Sequence, residues 1–347
     1  MPLKFPDDFD LELVNTYCDE YRRKREIKRP ITLFDVLALS KLGKRTATGF
    51  APNLACAILF ARDPTEVIPG AFIRVIRYDG EEENFGKKLN SVFDRWTSGP
   101  LPKQILEAER MIDTQMRSFT RLGADGRFQT RAEYPKDVWF EALINATVHR
   151  SYNLKNMNIF VKLYENKISF ESPGTFFPPT TAETVYDAHN PRNPNLMWGL
   201  FYFDFVKCAF EGTRRMREGM READLPPPEF VQRQVGVMSV NVTLRNNVEY
   251  RKSFLNSKAG ALISEKVYSE LSDTEKMLIN YIAEQGKTSV SQAALLLDSD
   301  WAVAKAHLTR LVSLKVLEIH GGSGKPRDAR QRYILVDKRK RSAEGEK

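Results

Sequence analysis

Three polar residues, Glu141, Asn145 and His149, recur at intervals of four in an otherwise apolar stretch of the sequence. On a helix this spacing places them on one face. A carboxylate can orient or deprotonate an attacking water, and an amide oxygen is a hard ligand suited to Mg²⁺. A polar stripe on a core helix costs free energy unless each group has a partner, and a bound magnesium nucleotide would supply one. The pattern alone also allows a solvent-exposed polar face.

The elements that must position these residues are predicted from hydrophobic periodicity. The helix itself is predicted over 136–150, with Pro135 where a first helical turn tolerates proline. Alternating apolar residues predict two strands, 157–163 and 168–171, joined by a turn. This order of elements predicts an α+β or α/β two-layer sandwich. The remaining elements of the block are a loop, two helices and a closing strand, at 173–195, 196–209, 212–223 and 238–244.

The first 120 residues are predicted to form a small α/β segment. A helix is expected over 31–42, with Thr32 as its cap. Two apolar runs, Ala55 to Phe60 and Ala71 to Tyr78, are predicted as strands because turn signals separate them. A long amphipathic helix is predicted over 102–120.

The C-terminal part of the sequence predicts a separate winged-helix domain. Ser272 and Glu275 form a capping box ahead of a first helix. Two further helices and a hairpin built around a Gly-rich turn follow, which is the order of a winged helix. The elements are expected at 275–284, 288–297, 300–315, 316–319 and 332–336.

Positive charge is concentrated at this end of the chain. Residues 302–341 hold eleven basic and three acidic residues, and this surplus of +8 equals the net charge of the whole chain. Such a segment favours a polyanion as partner, and the second helix of a helix-turn-helix enters the major groove of DNA. A basic disordered tail, or a winged helix used for protein contacts or dimerisation, is the alternative. The predicted DNA-binding residues are Lys305, Thr309, Arg310, Lys325, Arg327, Arg330 and Arg332.

Several protein classes are excluded by composition. No apolar run is long enough to span a bilayer, and the N-terminus has no apolar region typical of a signal peptide. The three cysteines are scattered and form no Cys-x-x-Cys pair, so neither a disulfide framework nor a zinc site is predicted. We therefore expect a cytoplasmic protein with no membrane partner.

Residues 141–152, EALINATVHRSY, resemble the N-box of the GHKL, or Bergerat-fold, ATPases. More narrowly, they resemble the RecG-like transcriptional-regulator branch of that group. Further motifs of the branch follow in order: Glu-Ser-Pro-Gly at 171–174, Arg-Asn-Pro at 192–194 and a glycine motif ending in Arg-Met at 211–216. The segment from Asn53 to Tyr78 also resembles the branch. The resemblance covers roughly residues 1–250, and a C-terminal winged helix is common in the branch.

This resemblance implies a GHKL-like ATP-binding fold with ATP and Mg²⁺ as cofactors. Asn145 would ligate Mg²⁺ and Glu141 would be the catalytic residue that positions or deprotonates water. The turn at 171–174 would lie on the adenine side, and residues 175–211 would form a lid. Gly212 would let backbone N–H groups approach phosphate. The implied nucleotide-binding residues are Asn145, His149, Arg150, Glu171, Gly174, Arg192, Asn193, Gly212 and Thr213.

The sequence also departs from the pattern of these families. No Asp-x-Gly-x-Gly turn is present to read adenine, Phe210 replaces the usual first glycine of the glycine motif, and Ser151 replaces an acid. Only about fifty residues precede the Asn53 segment, where the branch usually carries a Schlafen AlbA-type domain. We expect either that this chain lacks that domain or that a partner chain supplies it.

The predicted organisation has five parts. An N-terminal segment (1–120), a remnant of or adjunct to an AlbA-type domain, precedes a GHKL-like ATP-binding domain (121–250). A linker (251–269), a winged helix (270–337) and a basic tail (338–347) follow.

Three functions stay open on the sequence. The first is an ATP-binding, DNA-associated regulator that either only binds ATP or also hydrolyses it slowly with Mg²⁺. The second is a non-catalytic transcriptional regulator with a degenerate nucleotide site. The third is a subunit of a DNA-processing or defence complex. Homo-oligomerisation is open in each case.

Overall fold

The chain divides into two compact units. The first comprises residues 1–117 and 133–246, and the second comprises residues 118–132 and 247–347. Among the described residues no helix is both long and apolar enough to cross a bilayer. The computed structural model describes residues 3–122, 128–188, 190–207, 211–223, 225–234, 236, 238–246, 267, 270–297, 299–321 and 331–336.

Helices and strands alternate irregularly along the chain. The helices are α1 (Leu11–Lys24), α2 (Leu33–Leu39), α3 (Leu54–Phe60), α4 (Leu101–Gln115), α5 (Lys136–Val148), α6 (Pro194–Tyr202), α7 (Gly212–Glu222), α8 (Asp273–Gln285), α9 (Val290–Leu296) and α10 (Trp301–Ser313). The strands are β1 (Gly43–Thr46), β2 (Gly49–Pro52), β3 (Ile73–Tyr78), β4 (Ser91–Trp96), β5 (Ser118–Leu122), β6 (Phe128–Ala132), β7 (Ile159–Leu163), β8 (Lys167–Pro173), β9 (Glu229–Arg233), β10 (Ser239–Arg245), β11 (Leu317–His320) and β12 (Arg332–Leu335).

A six-stranded mixed sheet is the centre of the first unit. Its strand order is β4-β3-β7-β8-β10-β9. Strands β3 and β7 pair in parallel, and the other neighbours are antiparallel. A parallel pair needs a long crossover, and the chain between β3 and β7 includes α4 and α5. Two strands from the first 120 residues therefore share one sheet with strands of the central block.

Helices α4, α5 and α7 cover one face of this sheet. Their apolar side chains form one core with inward-facing residues of β3, β7, β8 and β10, including Trp139, Val161 and Phe170. The other face carries polar side chains such as Lys162 and Asn241. The predicted α+β character with a sheet and a helical layer is confirmed.

A second apolar cluster in the first unit joins α1, α2, α3 and α6. The ring of Tyr17 packs there against Phe60 and Tyr202, with ring centroids 5.2 and 5.3 Å away respectively. The prediction of a strand over Ala55 to Phe60 is wrong, because these residues form α3. Asn53 caps this helix by accepting a hydrogen bond from the backbone of Cys56. The helix is buried on nearly all sides, which removes the periodicity that distinguishes a helix from a strand.

Other differences from the predicted elements lie mainly at edges. The predicted helix over 102–120 ends at Gln115, and β5 follows it. Strands β4 and β9 are the two edges of the large sheet, and much of each is exposed. Edge strands need no continuous apolar pattern, which is why the sequence did not predict them.

In the second unit, three helices precede a two-stranded antiparallel hairpin. Ser272 and Glu275 form the predicted capping box at the start of α8. Gly286 ends α8 with φ at +77°, in the left-handed region that favours glycine. A further bridge joins Thr288 to Tyr333 of β12. The helices share a core with Leu317 and Tyr333. Almost all of the predicted linker, and the tail, lie outside the described residues.

Candidate functional site

The polar stripe of α5 opens into a cleft beside the sheet. Most residues of α5 are buried, whereas Glu141, Asn145 and His149 line the cleft. The cleft has an apolar lobe and a polar lobe. Asn145, His149 and Thr213 line both lobes, so the two are continuous. The predicted helical spacing therefore brings Glu141, Asn145 and His149 to one site.

The apolar lobe lies between the sheet and the segment after β8. Phe170 of β8 and Val242 of β10 form its sheet wall, and Phe177 and Val185 belong to the segment above it. No carboxylate is among the described residues that line this lobe. Aromatic and aliphatic walls with few polar groups fit a flat, apolar ring system.

Glu141 and Arg215 form an ion pair in the polar lobe. Arg215 Nη2 donates to Glu141 Oε2 at 2.7 Å. The other carboxylate oxygen lies against Gly212, where a Cβ would come within 2.0 Å of Glu141 Oε1. A carboxylate beside the first residue of α7 is favoured by the positive end of the helix dipole. Gly212 is therefore required by close packing at the start of α7.

Burial is the main influence on the ionisation of Glu141. It raises the pKa of this carboxyl, although the charge of Arg215 and hydrogen bonds from Asn145 and Arg215 act in the opposite direction. His149 keeps an exposed surface in the cleft, but the protein packed around it disfavours the charged ring. This desolvation, and then the charge of Arg192, lower the pKa of His149 to about 4.

The amide of Asn145 lies in the cleft with its carbonyl oxygen unpaired among the described residues. Its Nδ2 donates to Met216 Sδ at 3.8 Å, and the amide also donates to Glu141. Its carbonyl oxygen accepts no hydrogen bond from any described residue. Asn145 lines the cleft together with Glu141, and amide and carboxylate oxygens are the ligands that Mg²⁺ prefers. The residues present are thus compatible with a magnesium ion.

The N-terminus of α7 faces the polar lobe. Gly212 and Thr213 of its first turn line this lobe, and the preceding Glu211 makes no side-chain capping bond. First-turn N–H groups have no partner within a helix, and together with the dipole they favour an anion. Thr213 Oγ1 donates to Val185 O at 3.1 Å, which ties the segment above the cleft to α7.

Arg150 does not line the cleft, although it was predicted to contact nucleotide. Its side chain is 1% exposed, and Nη2 donates to Gly70 O at 3.1 Å and Met157 O at 2.5 Å. The guanidinium also lies 4.5 Å from the ring centroid of Tyr152. Arg150 therefore joins the loops that precede β3 and β7, and this position favours a structural role.

Arg192 and Asn193 bind the end of α5. Asn193 Nδ2 donates to Val148 O at 2.7 Å and Arg150 O at 2.8 Å, which satisfies carbonyls that a helix C-terminus leaves free. Arg192 donates to His149 O at 3.1 Å and to Thr175 O at 2.9 Å. Both residues border the cleft and hold its covering segment without lining its lobes.

Glu171 and Gly174 also lie outside the two lobes. Phe170 and Ser172 line the cleft, so Glu171 between them points to the opposite face of the sheet. There it accepts from Ser239 Oγ at 3.2 Å. Gly174 has φ at +123°, and a Cβ there would lie 2.8 Å from Ser151 Cβ. This turn therefore packs against the end of α5.

Arg215 is a residue of the cleft that the sequence prediction did not include. It stands within the predicted glycine motif but received no role. Its position three residues after Gly212 places it one helical turn into α7, on the side that reaches Glu141. That spacing is the signal that could have identified it. Phe210 of the same motif lies outside the described residues.

Four of the predicted DNA-binding residues are described, and each forms hydrogen bonds within the second unit. Lys305 donates to Tyr333 Oη at 2.5 Å and to Gln331. Arg310 donates to Glu275 Oε2 at 2.6 Å. Thr309 is exposed, and its hydroxyl donates to Lys305 O. Arg332 donates to a backbone carbonyl. Three further predicted residues, Lys325, Arg327 and Arg330, lie outside the described residues.

Comparison with known proteins supports an ATP-binding class. Residues 156–244 match the HATPase_c_4 family, described as "Putative ATP-dependent DNA helicase recG C-terminal". This match supports a relationship to the GHKL, or HATPase-type, ATP-binding proteins. No curated protein sequence matches the chain.

One solved structure shows a related fold. The crystal structure of the DIP2311 protein from Corynebacterium diphtheriae superimposes with a TM-score of 0.55 at 16% sequence identity. The likeness covers 97% of this chain and 63% of that one, so the chain spans less than two thirds of that protein. At this identity the likeness shows the fold alone.

Replacing Glu141 with Gln is expected to stabilise the first unit near neutral pH. Because burial raises the pKa of Glu141, ionisation costs folding free energy once the pH exceeds the ordinary value of about 4.3. The gain in melting temperature should shrink as the pH falls below the folded-state pKa, and it should vanish below the ordinary value, where both states bind the proton. Thermal melts over a pH series measure it.

The matched control is Glu218→Gln. Glu218 is exposed and pairs with Arg221, which lowers its pKa, so no stabilisation is expected at any pH. A wild-type protein more stable than Glu141→Gln near neutral pH would contradict this account of the carboxylate.

Proposed function

We propose that the cleft of the first unit binds ATP with Mg²⁺. The observation that carries this proposal is the continuity of an apolar lobe with a polar lobe at the N-terminus of α7. The apolar lobe suits the base and the polar lobe suits the phosphates. The family match at 156–244 supports the same ligand class.

Each cleft residue has a role in this proposal. Phe170 and Val242 contact the base, and the backbone N–H groups of Gly212 and Thr213 bind phosphate. Asn145 supplies its amide oxygen to Mg²⁺, which would neutralise phosphate charge beside Glu141. His149, neutral near pH 7, offers a ring nitrogen to the ligand without adding charge.

The ion pair with Arg215 favours slow hydrolysis. A general base must have a free lone pair within hydrogen-bond reach of the attacking water. One oxygen of Glu141 accepts from Arg215 and the other packs against Gly212. The charge of Arg215 and its hydrogen bond lower the basicity of Glu141, and they occupy part of the lone-pair capacity of Oε2. We therefore propose that the protein binds ATP and hydrolyses it slowly.

A second function, DNA binding by a winged helix in the second unit, rests on a separate observation. Helices α8 to α10 are followed by a hairpin, and residues 302–341 carry the surplus positive charge. In this arrangement α10 would lie in the major groove, and basic residues of the hairpin would contact phosphates. Because Lys305 and Arg310 are engaged within the unit, the contacts to DNA would come mainly from the hairpin. ATP binding would then regulate a DNA-associated protein.

Replacing Asn145 with Ala is expected to abolish saturable binding of Mg·ATP. The variant loses the amide oxygen assigned to the metal and the donor to Glu141. Isothermal titration of the full chain measures the binding. Wild-type protein at about a hundred times the dissociation constant should also be stabilised by about 2.7 kcal/mol.

Asn156→Ala is the control for this titration. Asn156 is an exposed asparagine in the loop before β7, and its replacement should leave the binding heat unchanged. Equal binding by wild type and Asn145→Ala would remove Asn145 from the site. No heat and no thermal shift for the wild type would contradict the proposal of a nucleotide site.

Replacing Arg310 with Ala is expected to destabilise α8, whatever its effect on DNA. Glu275 has a fully buried side chain, and burial raises its pKa. Hydrogen bonds from Ser272, Arg310 and His307 outweigh that effect, so the pKa is lowered overall. Loss of a hydrogen bond to a buried charge costs about 2 kcal/mol. Faster amide hydrogen exchange in residues 273–285 measures this cost.

Thr309→Ala, one residue away on the exposed side of α10, is the control and should not change the exchange of α8. Unchanged exchange in Arg310→Ala together with weaker DNA binding would instead make Arg310 a DNA contact.

A further inference from the structure

The N-terminal part of the first unit carries a second concentration of positive charge. Residues 22–45 contain nine basic and two acidic residues, a net charge of +7, and residues 36–62 contain no acid. The segment 302–341 carries +8, so the remaining chain has a net charge of −7. This concentration lies in a different unit from the C-terminal one and needs its own explanation.

The fold gathers these residues at one corner of the first unit. Arg22 Nη2 donates to Ile31 O at 3.3 Å, which places the end of α1 beside the start of α2. Arg45 Nη1 donates to Asp35 Oδ1 at 2.5 Å, which places the β1–β2 hairpin beside the same turn. The connection that contains Lys28 and Arg29 leads directly into this turn. We define the basic surface as Lys28, Arg29, Lys44 and Arg45.

Internal pairing accounts for only part of the charge. Ion pairs join Arg22, Arg23, Lys24 and Arg45 to Asp19, Glu20, Asp204 and Asp35 respectively. Basic residues in the last turn of α1 also suit the helix dipole. Arg25, which follows α1, donates to Tyr202 Oη at 2.8 Å. None of these contacts involves the four remaining lysines and arginines. Those are Lys28, Arg29, Lys41 and Lys44, which are exposed and form no ion pair with any described residue.

Repulsion between neighbouring like charges lowers the free energy of unfolding, so the basic surface does not stabilise the fold. Repulsion among unpaired cations destabilises a compact state, and an approaching polyanion relieves it. Basic surfaces of this kind bind nucleic-acid backbones with affinities that fall steeply with salt.

The hairpin has a shape that suits a groove. Its tip residues Thr46, Ala47 and Thr48 are small and exposed. Its base is tightly closed, because a Cβ on Gly43 would lie 2.4 Å from both the Phe50 ring and Ala51 O. A two-stranded ribbon fits the major groove of DNA, and hydroxyl groups contact phosphates. A membrane-binding tip would instead present large apolar side chains, and this tip presents none.

We propose that the basic surface binds the backbone of duplex nucleic acid, with the β1–β2 hairpin lying along a groove. It is a contact of the first unit, independent of the nucleotide cleft and separate from the segment 302–341. The chain would then hold nucleic acid through both of its units.

The test compares two double variants of the full chain that change net charge equally. Arg29→Glu/Lys44→Glu reverses charges in the basic surface. Lys87→Glu/Lys88→Glu reverses two exposed lysines in the short helix at 86–88. Fluorescence anisotropy with a labelled DNA duplex, over a series of salt concentrations, measures binding.

We expect Arg29→Glu/Lys44→Glu to weaken binding about tenfold or more, and the slope of log affinity against log salt to fall by about two. The Lys87/Lys88 variant should retain most of the affinity and the wild-type slope. Equal weakening in both variants would reduce the effect to net charge and overturn the proposal. So would unchanged binding in the first variant, or no binding of DNA by the wild type.

Two further measurements separate the remaining explanations. Arg29→Ala/Lys44→Ala, with an unchanged melting temperature, must weaken binding in the same direction, which excludes misfolding as the cause. Cosedimentation with phosphatidylserine vesicles tests a lipid surface as the partner. Pelleting that depends on Arg29 and Lys44, without binding of DNA, would overturn the proposal in favour of a membrane.

Discussion

Helix α5 must satisfy three polar side chains while the rest of it is buried, and this constraint organises the first unit. Trp139, Leu143 and Ala146 pack into the core against the sheet, which fixes the helix and its rotation. Glu141, Asn145 and His149 then line the space between α5, the first turn of α7 and the segments 188–191 and 205–207. The cleft exists because a buried helix with a polar stripe cannot be packed dry on every side.

The surrounding elements are arranged around that stripe. Arg215 of α7 neutralises Glu141, and Gly212 gives the carboxylate room beside the first turn of α7. Asn193 satisfies the carbonyls at the end of α5, and Arg192 joins that end to the segment above the cleft. The N-terminus of α7 lacks a side-chain cap, which supports the proposed binding of phosphate there.

Much of this could be predicted from the sequence. The spacing of Glu141, Asn145 and His149 placed them on one helix face, and the capping residues Thr32 and Ser272 located helix starts. These predictions succeeded because they depend on local geometry, which a single sequence encodes. Apart from β9, the order of helices and strands in the central block followed for the same reason.

What could not be predicted depends on the whole fold. The helix α3 appeared to be a strand because burial on all sides removed its periodicity. The motifs that place Arg150 and Asn193 among the predicted nucleotide contacts do not show which atoms these side chains bond within the protein. Their side chains donate to the carbonyls of Gly70 and Val148. The parallel pairing of β3 with β7 joins segments that are far apart in the sequence. The ion pair of Glu141 with Arg215 likewise joins residues 74 positions apart.

The most direct test of the nucleotide cleft is a crystal structure of the full chain grown with Mg²⁺ and a non-hydrolysable ATP analogue. The account predicts the base against the wall formed by Phe170 and Val242, the phosphates at the N–H groups of Gly212 and Thr213, and Mg²⁺ on the amide oxygen of Asn145. Ordered nucleotide bound elsewhere on the chain, with the cleft filled only by water, would contradict it.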